Sequence, residues 1–497
     1  MKLISICGGN DTESVRAALA PFGLVQNEIV LHSSEKKDAV RLGRQMAEQA
    51  PTAVICFGET GLSAGLFVLE KCKKAKIPLL AAISSPTDAS RLAPFDAILC
   101  TDESVRTALL ATDLPAHKLC TPAEVLTRGL TALKPQKRNE VVISGSYGLG
   151  NFGDDAMLAA ILAEVRKHNP WSRITVLSRD PAATRKTHRV DTLPSFALPA
   201  LIARLRKAQL LISGGGTLLT DLTSTLSLLY YLTIIRLAHR FGARVLLYSC
   251  GIGPFAAETN KKRVARTLNR AAEAIVLRDA RSAQELAVIG VTKPIVLCTR
   301  DAAFDLTHDP NADAPQFPFA RYALFALRPW NRDGETIAEI RETARRLWCE
   351  RGLAAVFLPM ETPKDLVFAQ ALTADLETPH AIFSEVGSFA EAFAAIAKAA
   401  VVISMRLHAM IAAGAADVPT VGIAYDIKIS GYLDHVGCDF GLAYESLTAN
   451  ALFDQVDRAL AYGHGHVPPT NEAGKAALAA MLTDKTKEDA HEAVTRH

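Results

Sequence analysis

The chain has little with which to staple itself. Its nine cysteines, Cys7, Cys56, Cys72, Cys100, Cys120, Cys250, Cys298, Cys349 and Cys438, are odd in number and scattered, with no Cys-x-x-Cys pair and no cysteine–histidine cluster at zinc spacing. That argues against a disulfide scaffold or a zinc module and points to a reducing, cytoplasmic compartment. An excess of one charge is also missing: 55 Lys and Arg against 52 Asp and Glu leave +3 over 497 residues. Nucleic acid is therefore not an expected partner, although a local basic cleft for a small anion fits. Long apolar runs are absent too. The most apolar stretch, residues 222–235, is about 14 residues long and carries Thr223, Ser224, Thr225, Ser227 and Thr233, short of the roughly 20 that span a bilayer. It reads as a buried helix. The first ten residues hold too short an apolar segment for a secretory signal, so no export is expected.

What is present is a chain long enough for about three domains. Short aliphatic runs alternate with longer, Ala-rich amphipathic stretches, the pattern of parallel sheets covered by helices. A first block, 1–135, has strands predicted at 3–7, 53–58, 79–83 and 97–100, with helices at 14–20 and 37–49. A polar, proline-containing stretch at 131–140 reads as a linker. The second block, 140–304, has strands at 141–144, 173–177, 210–213, 244–250, 274–277 and 295–297. Proline and aspartate thicken at 305–318, as in an interdomain crossing. The third block, 320–497, has strands at 322–327, 354–358, 381–383, 401–404 and 420–424. Residues 485–497 are highly charged and read as a solvated tail. Two successive parallel-sheet domains form a cleft, and ligands in such folds bind at the carboxyl ends of strands.

The turns at those ends carry the chemistry. The run 144–158 leads a strand through Gly145, Gly148, Gly150 and Gly153 into a helix, with Asn151, Asp154 and Asp155 at its start. Unpaired helical N–H groups there suit a phosphate, and the polar side chains suit a sugar; helix capping by either aspartate is the alternative. A second turn, Gly214-Gly215-Gly216-Thr217, precedes Asp221 and leaves the backbone open to close approach. It has neither the Lys-Ser/Thr of a nucleoside-triphosphate loop nor dinucleotide spacing. Arg278 follows the strand 274–277, where a guanidinium can clamp a carboxylate or phosphate. The strand 401–404 ends at Ser404, an expected N-cap, and places Arg406 and His408 in the first helical turns. A helix N-terminus disfavours a charged imidazole, but a bound anion restores its proton. Lys428 lies on the turn after the next strand. His464-Gly465-His466 sits in a Gly/Pro-rich stretch and reads as a loop rather than a metal site. Together Arg278, Arg406, His408 and Lys428 imply a small, strongly anionic substrate.

The runs Gly150-Asn151-Phe152-Gly153-Asp154-Asp155, Ser213-Gly214-Gly215-Gly216-Thr217, Gly251-Ile252-Gly253-Pro254, Leu277-Arg278-Asp279, Phe357-Leu358-Pro359-Met360, Ser404-Met405-Arg406-Leu407-His408 and Tyr425-Asp426-Ile427-Lys428 occur in that order. In this the chain resembles the polysaccharide pyruvyl transferase family, and within it the bacterial cell-wall, CsaB-type, branch, over about residues 140–445. The resemblance implies two Rossmann-like domains in a glycosyltransferase B-like arrangement, preceded here by an additional small α/β domain of unassigned role. It implies transfer of the pyruvyl group of phosphoenolpyruvate to two hydroxyls of a sugar, giving a cyclic ketal and phosphate. The family's donor-associated arginine, histidine and lysine fall on Arg278, His408 and Lys428. By the same resemblance the acceptor is a lipid-linked, N-acetylmannosamine-containing precursor of a cell-wall polysaccharide, met at the inner face of the cytoplasmic membrane through peripheral contact.

The chemistry asks for cations facing a carboxylate and a phosphate and for one acid. Arg278 and Lys428 suit the first task and His408 the second. Asp154, Asp155 and Asp221 are open candidates for orienting or deprotonating the sugar, with Arg406, Asn151, Gly214, Gly215 and Gly216 as further substrate contacts. No cofactor and no metal is expected. The competing expectation is a nucleotide-sugar glycosyltransferase using the same cleft.

Overall fold

The computed structural model describes residues 3–7, 12–27, 29–30, 51–129, 138–222, 224–306, 316–384, 389–468 and 470–482. Its strands build three sheets, each from a contiguous stretch of chain. The first contains β1 (Leu3–Cys7), β2 (Ile29–Val30), β3 (Ala53–Phe57), β4 (Leu79–Ile83), β5 (Ala97–Cys100) and β6 (Leu119–Cys120), in the order β2-β1-β3-β4-β5-β6. The second contains β7 (Glu140–Tyr147), β8 (Arg173–Ser178), β9 (Asp191–Pro194), β10 (Ala208–Gly214), β11 (Thr217–Leu219), β12 (Arg244–Ile252), β13 (Ala274–Leu277) and β14 (Ile295–Cys298). Its order is β14-β13-β12-β10-β7-β8-β9, with β11 beside β12. The third contains β15 (Tyr322–Ala326), β16 (Ala354–Phe357), β17 (His380–Ile382), β18 (Val401–Ser404), β19 (Thr420–Ala424) and β20 (Gly441–Ala443), in the order β17-β16-β15-β18-β19-β20.

Pairing in the third sheet is parallel, and helices cover both faces. Successive side chains therefore serve opposite cores. Ala323, Phe325, Phe357, Val401 and Ile403 enter one cluster, and Tyr322, Leu324, Ala326, Val356 and Val402 the other. This is why these strands read as unbroken apolar runs rather than as alternating ones. The chain reverses its direction of travel across the sheet between β15 and β18, and it does so again around β7. Such switch points open a crevice at the strand carboxyl ends.

The fold is parallel-sheet α/β, as the alternation of runs predicts. Strands β2, β6, β9, β11 and β20, of two to four residues, are not among the expected strands. β7 runs past its expected end at Ser144 to Tyr147, whose hydroxyl donates to the Gly214 carbonyl at 2.6 Å. The stretch 222–235 is only half buried. The helix Thr225–Arg240 buries Leu228, Tyr231, Leu232 and Ile235 on one face, while Leu222 and Leu226 are exposed. No helix among the described residues is long and apolar enough to cross a membrane. The helix expected at 37–49, the linker at 131–137, most of the crossing, 307–315, and the tail 485–497 lie outside the described residues.

The chain divides into two compact units: Met1–Ile143, Arg166–Leu177 and Pro181–Gln209 form one, and Ser144–Val165, Ser178–Asp180 and Leu210–His497 the other. Inside the first, buried charge joins segments far apart in sequence. The Asp191 carboxylate accepts from the Ala116 N–H at 2.8 Å and pairs with Arg173 at 2.6 Å and Arg185 at 3.1 Å. Arg185 in turn donates to the carbonyls of Leu110, Thr112 and Leu114.

Candidate active site

The second unit carries every candidate site residue. β13 ends at Leu277 and delivers Arg278; β18 ends at Ser404 and delivers Arg406 and His408; β19 ends at Ala424 and delivers Lys428. Arg278 is 9 % exposed, and its Nη1 donates to Asp301 Oδ2 at 2.9 Å while Nη2 lies 3.5 Å from the Thr217 hydroxyl. Burial works against its charge, but the Asp301 carboxylate outweighs that and raises its proton affinity. The same Oδ2 lies 3.8 Å from Nε2 of His408, and that nitrogen is buried with no hydrogen-bond partner among the described residues. Burial, reinforced by the charges of Arg278, Arg406 and Lys428, pushes the imidazole down to about 4, against the pull of Asp301. His408 is therefore neutral at pH 7, as its place near a helix start suggested, although burial rather than the helix is the main cause.

Asp301 is the residue that sequence reading missed. It is 5 % exposed, its Oδ1 accepts from the Ala303 N–H at 3.0 Å to cap a short 3-10 helix, and its other oxygen faces both Arg278 and His408. The sequence holds only a faint signal for it, since Thr299-Arg300-Asp301 follows β14 at its carboxyl end.

Arg406 departs from its expected role. It is the N-cap of the helix Leu407–Ala415, with extended backbone and no capping side chain, while the Ser404 hydroxyl accepts the Arg406 N–H at 2.8 Å. Ser404 is thus not the N-cap. The guanidinium turns inward and is shared between Glu361, at 2.9 Å, and the fully buried Asp365. Burial pushes the Asp365 carboxyl up. Glu361, also pushed up by burial, is held below its ordinary range by Arg406. An arginine with both terminal nitrogens committed to carboxylates braces the site from inside.

The glycine-rich run joins the same centre. Asn151 accepts the Gly153 N–H through Oδ1 at 3.0 Å and donates through Nδ2 to Asp154 at 3.0 Å, and its backbone bridges Glu361. Asp154 is buried in the first turn of the helix Phe152–His168. Burial lifts its carboxyl to about 7, with Asp155 and Asp301 adding to the shift and Arg278 opposing it. Gly153 is what allows the imidazole to sit here, because a Cβ at this position would fall 1.9 Å from His408 Nδ1. Gly153→Ala is accordingly expected to displace the ring and lower both thermal stability and activity. A variant with wild-type melting temperature and rate would contradict that packing.

The triple glycine and Asp221 are placed differently from expectation. Gly215 and Gly216 have φ of +80° and +67°, which L side chains rarely adopt. Their N–H groups are already engaged, Gly215 with the Tyr248 carbonyl at 3.3 Å and Gly216 with Met157 Sδ at 3.4 Å. Gly214 packs against Ile161. The close backbone approach is thus to the protein itself, and it brings Thr217 to the site. Asp221 accepts from the Ala256 and Ala257 N–H groups and from Asn260 Nδ2, at 2.6, 3.0 and 2.8 Å. It anchors the start of the helix Glu258–Ala271, whose N-cap Ala257 has no side chain to do so.

Arg278, Asp301, Thr217 and Lys428 line a cavity of about 670 Å³. Leu407 lines it as well, whereas His408 reaches it only through its contact with Asp301. Lys428 follows Asp426, the N-cap of the helix Ile427–Val436, and is exposed with no ion pair among the described residues. A fixed guanidinium, a free ammonium, a neutral imidazole and a carboxyl near neutrality can hold a polyanion and move a proton beside it. His464 lies apart and pairs with Asp417 at 3.1 Å.

Solved structures share this fold at low identity. A Methanocaldococcus jannaschii UDP-GlcNAc 2-epimerase is 12 % identical with a TM-score of 0.50, over 72 % of this chain and 99 % of its own. A Listeria monocytogenes protein described as a UDP-N-acetylglucosamine 2-epimerase is 13 % identical with a TM-score of 0.51, over 70 % and 98 %. These matches support the glycosyltransferase B-like, Rossmann-type fold alone. A search of curated proteins finds no match. The sequence model of one family, described as polysaccharide pyruvyl transferase, matches residues 151–427, more than half of the chain, from Asn151 to the residue before Lys428, and the protein belongs to that family.

Proposed function

We propose that the protein transfers the pyruvyl group of phosphoenolpyruvate to two hydroxyls of a saccharide, forming a cyclic ketal and releasing phosphate. Within the family this is the CsaB-type reaction, with a lipid-linked, N-acetylmannosamine-containing acceptor at the inner membrane face. The observation that carries the reading is the grouping of Arg278 and Lys428 on one cavity with His408 against Asp301. Two cations answer the carboxylate and phosphate of the donor. Asp301 fixes the guanidinium before the donor arrives, so little ordering remains at binding.

His408 is the acid in this reading. It is neutral in the free protein, and the negative charge of the donor beside Asp301 gives it the proton that burial withholds. That proton passes by way of the Asp301 carboxylate, which lines the cavity, to the methylene carbon, and the adjacent carbon becomes electrophilic. A sugar hydroxyl oxygen adds there and gives its proton to a base, the carbon–oxygen bond to phosphate breaks, and the second hydroxyl oxygen bonds to the same carbon while its proton goes to the departing phosphate, closing the ketal. Asp154, whose carboxyl burial lifts to about 7, is the candidate base of this reading.

Two measurements test this. Purified protein should release phosphate from phosphoenolpyruvate only when an N-acetylmannosaminyl acceptor is supplied; consumption of a nucleotide sugar instead would replace the reading. Donor binding should also take up protons at pH 6, because a group titrating near 4 is pushed upward on binding. Calorimetry in two buffers of different ionisation enthalpy should show about one proton fewer for His408→Gln. Equal uptake by the two proteins would remove His408 from the role.

A further inference from the structure

The cavity is larger than its anion end requires. At about 670 Å³ it falls in the range of sites for drug-sized ligands, well beyond what a three-carbon phosphate fills. Its walls continue along two helices, both of which start at the anion end. One is Ala280–Val288, capped by Asp279, and the other is Ile427–Val436, capped by Asp426. Along the second, Lys428, Tyr432 and His435 recur at i, i+4 and i+7 and all line the cavity. Seven residues at 1.5 Å each put His435 about 10 Å from Lys428 along the axis, too far for both to grip one small donor. Along the first helix, Arg281 and Gln284 line the cavity at i and i+3.

The chemistry changes with this distance. The inner end presents Arg278 and Lys428, with Arg281 in the first turn of its helix, whereas further along the two helices the wall is made by Gln284, Tyr432, Asp434 and His435. Phe304 and Tyr432 stack at 6.2 Å between ring centroids and add apolar faces. The Tyr432 ring is fixed by its hydroxyl, which donates to the Met410 carbonyl at 3.3 Å. His435 Nε2 is buried and has no hydrogen-bond partner among the described residues. Such a wall matches an uncharged polyol ring, with hydroxyls for the polar groups and C–H faces for the aromatic ones.

We infer that this outer half of the cavity is a saccharide subsite, with His435 and Gln284 hydrogen-bonding ring hydroxyls of the acceptor. The inference rests on the pyruvyl-transfer reading for the word acceptor, but the subsite can be tested without turnover. Saturation-transfer NMR with methyl glycosides of N-acetylmannosamine, N-acetylglucosamine, mannose and galactose, at saturating phosphoenolpyruvate, should find at least one that binds wild type. Its affinity should fall tenfold or more in His435→Ala and in Gln284→Ala, with phosphoenolpyruvate affinity changed less than twofold. No glycoside binding to wild type, or equal binding to wild type and both variants, overturns the subsite. Failure of the donor reading shows separately, as absence of phosphoenolpyruvate binding or its displacement by UDP.

Discussion

Replacing His408 with glutamine is expected to reduce acceptor-dependent phosphate release by 10²- to 10⁴-fold, the range for loss of a general acid, while leaving the protein folded. The imidazole is buried, its Nε2 has no hydrogen-bond partner among the described residues, and Asp301 stays satisfied by Arg278 and the Ala303 N–H. Folding therefore loses little when the ring is removed. The pH dependence of stability supplies a second readout. The folded-state value near 4 lies below the ordinary 6.5, so the unfolded chain binds the extra proton between these values. The contribution of His408 is complete above pH 6.5 and is lost as pH falls towards 4. His408→Gln should consequently lose less melting temperature than wild type between pH 7 and 4.5. His117, which burial pushes down to about 3, keeps a common acid sensitivity in both proteins. Wild-type turnover in the variant would end the proposed role, and parallel melting curves would show that the ring is not neutral in the fold.

Arg406→Met is expected to cost about 3–5 kcal/mol of stability, the usual penalty for removing one partner of a buried ion pair. Asp365 is fully buried and accepts from the Met360 and Glu361 N–H groups at 3.1 and 3.0 Å, so it cannot turn away to solvent. Lysine should rescue poorly, since one ammonium does not reproduce a fork reaching two carboxylates. Burial already raises Asp365 against the opposing pull of Arg406. Without Arg406 its raised value implies a contribution that is present below the unfolded carboxylate range and lost as pH rises. The stability deficit of Arg406→Met should thus be smaller at pH 5 than at pH 8, and Asp365→Asn should recover part of it by keeping an acceptor oxygen without the charge. A deficit below 1 kcal/mol, or one unchanged with pH, would contradict the buried-brace reading. The same brace holds Glu361 at its backbone bridge to Asn151, so activity should fall together with stability.

These two side chains stand two residues apart and show what a strand-end position does and does not specify. The aliphatic run 401–404 and the helix-forming stretch after it are local properties, and they sufficed to put Arg406 and His408 at a strand carboxyl end. The direction each side chain takes is not local. Arg406 is captured by carboxylates 45 and 41 residues earlier in the chain, on a segment that follows a different strand. Tyr147 and the triple glycine make the same point. The sequence pattern predicts open backbone at 214–216, but the Tyr147 hydroxyl, Met157 and the Tyr248 carbonyl already occupy it.

By itself the sequence determined the succession of buried parallel strands and helices, the near-neutral charge with its few local cations, and the strand ends that carry Arg278, His408 and Lys428. Each depends on runs of a few neighbouring residues, where apolar patterning and turn chemistry act directly. Only the tertiary structure decided that Asp301 lies between Arg278 and His408, that Arg406 faces inward, that Asp154 titrates near neutrality, and that His435 shares a cavity with Lys428. Those outcomes depend on burial and on distances between groups far apart in the chain. Burial sets the cost of each charge, and the packing of separate strand ends sets which partner is near enough to offset it.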